Sequence, residues 1–313
     1  MLNRRQLRLK VMEVIYAFDK SIEKDIDFQL NYFLNSNKNF YRLYITVFSV
    51  FHSLYSYSNS LNSQNSKKFL INKSDKFSLK LSNNLFLKKI FHDKVLTYQI
   101  DHLKIDVFDT HPEYLTSLWK KIISSELFLN YLNMEKPSFE DDKLLILSLF
   151  KKIIVLDDKL YEFYEDSEIS WINDLPLVNS LVLNALKKIQ KLSRKSTLND
   201  KIYKNKEDAE FGVKLIQEVI SNKVMLKAEI DKLTSNWDNE RIAQIDLILL
   251  QMCLAEFLFF ESIPVKVSIN EYLELAKEYS SPKSNVFING VMDAVSKQLT
   301  KDGRINKNRR GLQ

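Results

Sequence analysis

Residues 245–260 read Ile245-Asp-Leu-Ile-Leu-Leu-Gln-Met-Cys-Leu-Ala-Glu-Phe-Leu-Phe-Phe260, the most hydrophobic window of a 313-residue chain. A membrane span needs about 20 predominantly apolar residues. This run has 16, and Asp246, Gln251 and Glu256 interrupt it, so a buried central helix is the better reading. Glycine usage points the same way. There are four glycines, Gly212, Gly290, Gly303 and Gly311, and five prolines. Turn-rich β folds and phosphate-cradling loops need glycine for positive φ or close backbone approach. The chain therefore reads as all-α, with little material for a nucleotide-cofactor loop.

Outward from the central run, the pattern remains helical. The run extends back to about residue 239 and ends at Pro264. Ser268-Ile-Asn-Glu271 has the S-x-x-E form of a capping box, with Val267 and Tyr272 at the staple positions. The helix it opens runs through Tyr279 and stops before Pro282; a last helix covers residues 286–299, with Ile288, Val291, Met292, Val295 and Leu299 on one face. Upstream, residues 209–220 and 225–233 read as helices. Residues 4–20 form an amphipathic helix with Leu7, Val11, Val14, Ile15 and Phe18 in one stripe. Residues 30–57 and 115–192 are helical in pattern. Residues 58–89 and 193–205 are polar, rich in Asn, Ser and Lys, and read as a loose connector and a linker. At a constant offset of 66, Asp142 matches Asp208, Leu149 matches Leu215, Ile154 matches Ile220, Leu160 matches Leu226 and Trp171 matches Trp237, the trace of an internal repeat.

The formal net charge of +6 matters through its placement. Residues 1–10 carry Arg4, Arg5, Arg8 and Lys10 and no acid; residues 301–313 carry Lys301, Arg304, Lys307, Arg309 and Arg310 against Asp302. Basic ends suit a polyanion, or they are solvated tails that keep the protein soluble. A single cysteine, Cys253, excludes a disulfide framework and suits a reducing cytoplasm. Lying in the apolar run, it reads as a buried, inert thiol. The N-terminus lacks the apolar core of a signal peptide.

Catalytic chemistry finds no foothold. His52, His92, His102 and His111 are scattered without metal-ligand spacing, so no metal is expected. Asp141-Asp142 and Asp157-Asp158 fall where helix capping explains them. No G-x-x-x-x-G-K-[ST], G-x-G-x-x-G or H-E-x-x-H pattern occurs. The chain reads as a protein without catalytic residues or cofactor.

Two segments carry a resemblance. Asn3-Arg-Arg-Gln-Leu-Arg-Leu-Lys-Val-Met-Glu-Val-Ile-Tyr-Ala-Phe18 resembles the opening helix of the NusB family of transcription antitermination factors. Glu240-Arg-Ile-Ala-Gln-Ile-Asp246 with Ala255-Glu256 resembles the family's central helix, Ile263-Pro-Val-Lys-Val-Ser-Ile-Asn-Glu271 and Glu274-Leu-Ala-Lys277 its next, and Phe287-Ile-Asn-Gly-Val-Met-Asp293 its last. Glu207-Asp208 with residues 211–219 resembles the helix before these. The likeness covers residues 1–35 and 203–300, leaving residues 36–202 as an additional mostly helical block, read as a degenerate duplicate, and 301–313 as a basic tail.

The resemblance implies a NusB-like bundle of two helical subdomains that binds single-stranded boxA-type leader RNA together with the ribosomal protein NusE. It further implies an indirect link to other Nus factors and RNA polymerase, serving ribosomal RNA operons. Carried over by position, Arg4, Arg5 and Arg8 match the RNA-contacting basic motif, and Phe287 and Asn289 the C-terminal contacts, as stacking face and amide. Asn289-Gly290 has a second reading as a helix-packing device. Lys283, in the loop Ser280-Ser-Pro-Lys-Ser284, stands near where the family carries an acid and would add attraction to RNA. Tyr16 and Asp246 lie at partner-contact positions, though Tyr16 also reads as core. Gln6 interrupts the arginine run, and the basic tail is expected to extend the RNA footprint. Relatives include homodimers, so self-association stays open; no membrane contact is implied. Two rivals remain. One is a protein-interaction scaffold that has lost RNA binding. The other is a ribosomal RNA cytosine methyltransferase, whose N-terminal domain is similar but whose glycine-rich cofactor site and catalytic cysteine this chain lacks.

Overall fold

The computed structural model describes residues 1–65, 73–193, 195–198, 201–234 and 242–312. The expected Trp171–Trp237 correspondence, and Glu240 and Arg241 of the central motif, lie outside the described residues. The fold is all-α. The helices are α1 (Arg4–Lys20), α2 (Ile26–Asn65), α3 (Lys73–Ser82), α4 (Leu85–Phe91), α5 (Lys94–His102), α6 (Val107–Thr110), α7 (Pro112–Ser124), α8 (Glu126–Leu132) and α9 (Phe139–Leu149). A π-helical segment (Phe150–Ile154) continues α9. Then come α10 (Asp158–Ser167), α11 (Ser170–Lys188), α12 (Lys206–Ser221), α13 (Lys223–Thr234), α14 (Gln244–Phe259), α15 (Val265–Tyr279) and α16 (Pro282–Lys301). The extended elements among the described residues amount to one isolated bridge, Leu2 to Tyr203. No helix among them is long and apolar enough to cross a membrane.

The chain divides into two compact units: Met1–Ser36 with Tyr203–Gln313, and Asn37–Ile202. In the first, the apolar run is α14, buried on nearly all sides and packed by α1, α12, α13, α15 and α16. Cys253 sits fully buried on it, and burial pushes its thiol well above the ordinary value. Where α2 meets α12, the ring of Phe33 occupies the space beside Gly212. A Cβ there would lie 2.2 Å from Phe33 Cζ, so glycine is what admits the aromatic ring.

The second unit is built on the aromatic stripe of α2. Tyr44 and Phe48 pack edge to face at 5.2 Å, and Phe51 meets Phe150 at 5.6 Å. Asp142 of α9 is buried; it accepts from the backbone N–H of Leu85 and from the Tyr131 hydroxyl, both at 2.6 Å. As the sequence suggested, Asp141 closes a capping box with Ser138 and Asp157 caps α10. His52 stacks on Phe91 at 4.4 Å.

Three sequence expectations are corrected. The described residues of 58–89 are not a loose connector: α2 continues to Asn65, and α3 and α4 cover most of 73–89, while 66–72 lie outside the described residues. Most of their polar residues face solvent, and Leu81, Phe86 and Leu87 are buried. The buried polar residues include Ser58, which donates to Tyr55 O, and Asn84, which accepts from Leu87 N–H. Ser268 does not cap a helix. α15 already starts at Val265 behind Pro264, and Ser268 and Glu271 point to other partners described below. The tail is also not released at Gly303. That residue, at φ 65°, ends α16 with Arg304 N–H donating to Leu299 O at 2.9 Å, and the tail folds back.

Burial follows the 66-residue offset in part. Asp142, Leu145, Ile146, Leu149 and Phe150 are buried in the second unit, as are Asp208, Phe211, Gly212, Leu215 and Ile216 in the first. The π segment then adds one residue to the turn, so Ile154 falls in phase with buried Val219 rather than with Ile220. Leu160 and Tyr164 return to phase with Leu226 and Ile230.

Candidate nucleic-acid interface

α1 opens with a reciprocal cap. The Asn3 side chain accepts from the N–H groups of Arg5 and Gln6 at 2.9 and 3.1 Å, and Gln6 Oε1 accepts from Asn3 N–H at 3.0 Å. Gln6 is therefore the third residue of an Asn-x-x-Gln capping box, a local reason for glutamine within the arginine run. The cap fixes how the three arginines leave the helix.

Arg8 turns inward and is 2% exposed. Its Nε and Nη2 donate to Oε1 and Oε2 of Glu256 at 2.7 and 2.9 Å, and its Nη1 lies 3.5 Å from Glu271 Oε2. Ser268 and Tyr272 hydroxyls also donate to Glu256, at 2.7 and 2.6 Å. The guanidinium lies 5.2 and 5.6 Å from the ring centroids of Phe211 and Tyr272. Although burial opposes its charge, Glu256 outweighs that effect and raises the Arg8 pKa further. Arg8 stands at the floor of the cleft that opens beside α1, with its donors committed to Glu256 and Glu271 and little surface left for a phosphate. Its charge orders the core instead, which corrects its expected place among the RNA contacts.

Arg4 and Arg5 stay at the surface, each oriented by acids. Arg4 Nε donates to Asp208 Oδ1 at 2.9 Å and Nη2 to Glu207 Oε2 at 3.2 Å. Arg5 grips Glu271 with two bonds of 3.0 Å, which hold that carboxyl below the usual carboxylate range. A cleft of about 650 Å³ opens beside them, lined by Arg4, Arg5, Gln6, Pro264, Val267 and Arg310 among others.

The C-terminal contacts lie on α16. Ser281 caps it, accepting from Ser284 N–H at 3.2 Å, and Lys283 is exposed in its first turn. A cation there opposes the helix dipole, so its position does not serve the helix. Phe287, half-buried, follows Lys283 by four residues on the same flank. Asn289 is exposed about 200° around the helix from Phe287. Phe287 and Asn289 therefore share no face. Beside Gly290 a Cβ would meet nothing within 4 Å, so the helix-packing reading of Asn289-Gly290 fails.

The two partner-contact expectations separate. Tyr16 is 41% exposed with Lys20 Nζ 5.7 Å from its ring, so it is not core. Asp246 is buried and accepts from the Ser280 hydroxyl, which ties the start of α14 to the loop before α16. As placed, Asp246 holds that loop rather than offering itself to a partner.

The carboxylates that organise the arginines, Glu207, Asp208, Glu256 and Glu271, were visible in the sequence only as parts of helices. Each lies more than 200 residues from the arginine it binds, so no local spacing reveals the pairing.

Comparison with known proteins locates this region in a family. Residues 178–297 match the model of the NusB family. The match begins within α11 and does not extend to α1. Over 103 residues, the chain is 44% identical to the "Transcription antitermination protein NusB" of Salinibacter ruber, covering 33% of this chain and 64% of the relative. It is 41% identical to the protein of that name from Chloroherpeton thalassium over 103 residues, 33% of this chain and 49% of the relative. Against that of Clostridium kluyveri it is 43% identical over 100 residues, 32% of this chain and 62% of the relative. The aligned part thus spans about half to just under two thirds of these relatives. No solved structure matches. Glu207, Asp208, Glu256 and Glu271, which hold the α1 arginines, all fall inside residues 178–297, the part of this chain that is similar to the NusB family.

Proposed function

We propose that this chain is a transcription antitermination factor that binds single-stranded boxA-type leader RNA together with NusE, and through them other Nus factors and RNA polymerase, in transcription of ribosomal RNA operons. The observation that carries this reading is the cleft beside α1, lined by Arg4 and Arg5 within a unit that contains most of the residues similar to the NusB family. Arg4 and Arg5 each commit one edge of the guanidinium to a carboxylate. A guanidinium has five N–H donors, so donors remain for phosphate oxygens, pre-oriented by the acid pair. Lys283 and Phe287 supply a further cation and a partly open ring for stacking, the chemistry single-stranded RNA takes. Asn289 serves a neighbouring nucleotide from the other flank of α16. Tyr16 is the exposed candidate for contact with a protein partner. The residues named have structural roles or surface exposure and none is assigned catalysis.

One observation favours a second reading, a protein-interaction scaffold without specific RNA binding. The three arginines of α1 face Glu207, Asp208, Glu256 and Glu271, so much of their charge is compensated. Fluorescence anisotropy of a boxA-like RNA oligonucleotide at two salt concentrations separates the readings. The variant to compare is Arg4→Ala/Arg5→Ala; Arg8 is left intact because its loss would strand Glu256 in the core. Expected is salt-sensitive binding in the wild type, weakened roughly tenfold or more in the variant, since each phosphate contact adds about one unit to the salt slope. No RNA binding with NusE present, or binding indifferent to the substitution, would replace the RNA reading with the scaffold.

A further inference from the structure

The C-terminal tail returns across the end of α14 along a defined path. Lys307 Nζ donates to the carbonyl oxygens of Glu256 and Phe260 at 2.9 and 2.8 Å, a second donor for each beside the backbone N–H groups of Phe260 and Ile263. Asn308 N–H donates to Glu261 O at 3.1 Å. At Gly311 the tail passes so close that a Cβ would stand 2.0 Å from Glu261 O. A tail held at Lys307, Asn308 and Gly311 fixes the two residues between the last points, Arg309 and Arg310, and of these Arg310 is the one that turns to the α1 arginines. Its side chain lines the same cleft as Arg4 and Arg5, remains 65% exposed, and donates from Nη1 to Glu207 Oε2 at 3.2 Å. Arg4 Nη2 reaches that same oxygen at 3.2 Å, so two arginines from opposite ends of the chain converge on one exposed carboxylate.

We propose that Arg310 is a phosphate-binding residue of this cleft: an RNA phosphodiester displaces Glu207 and takes the place of its carboxylate between Arg4 and Arg310. This deepens the RNA reading and rests on it. The expectation of a general extension of the footprint by a basic tail becomes a single position. Arg304 is engaged with Glu229 at 2.7 Å, Lys307 closes the end of α14, and Arg309 does not line the cleft. A phosphodiester is a weaker base than a carboxylate, but it presents two anionic oxygens, one for each guanidinium fork, where Glu207 offers both arginines a single oxygen.

The test uses the full chain and two RNA oligonucleotides, one boxA-like and one of scrambled sequence, titrated by anisotropy over a range of salt. Arg310→Ala is expected to weaken both RNAs by a similar factor of about three to ten and to lower the salt slope by about one unit; Arg309→Ala leaves the slope unchanged. Glu207→Gln decides between a ligand role and a merely structural one. If Arg310 only braces Glu207, Glu207→Gln weakens RNA binding as Arg310→Ala does; if phosphate replaces the carboxylate, Glu207→Gln tightens it. An unchanged slope in Arg310→Ala, alongside a slope that drops in Arg4→Ala/Arg5→Ala, overturns this proposal and leaves the RNA reading standing. A wild type that binds neither RNA overturns both.

Discussion

Glu256 in the first unit and Asp142 in the second are both shut off from water, yet they are held by opposite means. Glu256 faces a cation, Arg8, with the Ser268 and Tyr272 hydroxyls completing its shell. Asp142 makes no ion pair among the described residues, and Lys80 acts on it only weakly beside the effect of burial. The Tyr131 hydroxyl and the Leu85 N–H are its partners, and burial pushes its pKa up. The buried ion pair joins α1 to α14 and α15, elements far apart in the chain, whereas the neutral network joins neighbours of one helical unit. A buried pair adds little net stability over an apolar core but is unforgiving when halved. A carboxyl served by neutral donors can lose its charge and keep its geometry.

The sharpest break of this comparison is Arg8→Ala. It takes from Glu256 its cation in the core and leaves only the Ser268 and Tyr272 hydroxyls, and a loss of about 3–5 kcal/mol in unfolding free energy is expected from chemical denaturation. Asp142→Asn should stay within about 1 kcal/mol of wild type, because the amide retains an acceptor for Leu85 and a donor to which the Tyr131 hydroxyl can turn. Equal losses in the two variants would remove the distinction between the units.

A middle-sized effect sharpens it at the position where α12 has Gly212 and α9, by the 66-residue offset, has Ile146. Gly212→Ala places a methyl into the fully buried ring of Phe33. Overpacking costs about 1–3 kcal/mol, which exceeds the 0.5–1 kcal/mol that alanine returns in a helix. The expected result is a net loss in denaturation, relieved when Phe33→Leu is added. An alanine variant as stable as wild type would mean that the ring is not what demands glycine here.

The smallest effects are in pH dependence, and their signs differ. The Glu271 carboxyl, hydrogen-bonded by Arg5, lies below its ordinary value of 4.5 in the fold. Its contribution is full above that value and is lost as pH falls through the depressed one. The Asp142 carboxyl lies above its ordinary 3.8, so its ionisation opposes folding, a penalty absent below 3.8 that grows as pH rises through the raised value. Relative to wild type, Glu271→Gln should therefore be worse at pH 7 than at pH 4, while Asp142→Asn should improve its standing over the same interval. Denaturation curves at the two pH values measure both; parallel shifts in the two variants would contradict the assignment.

Much of the architecture could be read locally. α1 was legible over residues 4–20 because its apolar stripe repeats at helical spacing, and the depth of α14 followed from an apolar run too short and too polar to span a membrane. Caps were less legible, since a capping box and a tertiary ion pair draw on the same residue types. Asn3-x-x-Gln6 is a box that was read as a broken arginine run; Ser268-x-x-Glu271 was read as a box and serves Glu256, Arg5 and Arg8 instead. At residues 58–89 the low-complexity composition hid α3, because polar residues fill the solvent faces of a helix as readily as a loop.

By itself the sequence determined an all-α chain, the extent of its opening helix, the burial of its apolar run and the motifs that resemble the NusB family. These depend on period and composition, which act over a few turns. Tertiary structure alone decided which of three neighbouring arginines is buried at the floor of the cleft and which two stay part-exposed on it, and that Arg310 joins them from the far end of the chain. Four positions along α1 return nearly to the same side, so Arg4 and Arg8 look equivalent in sequence. What separates them is whether a carboxylate at depth or at the surface, contributed by a helix over 200 residues away, stands opposite.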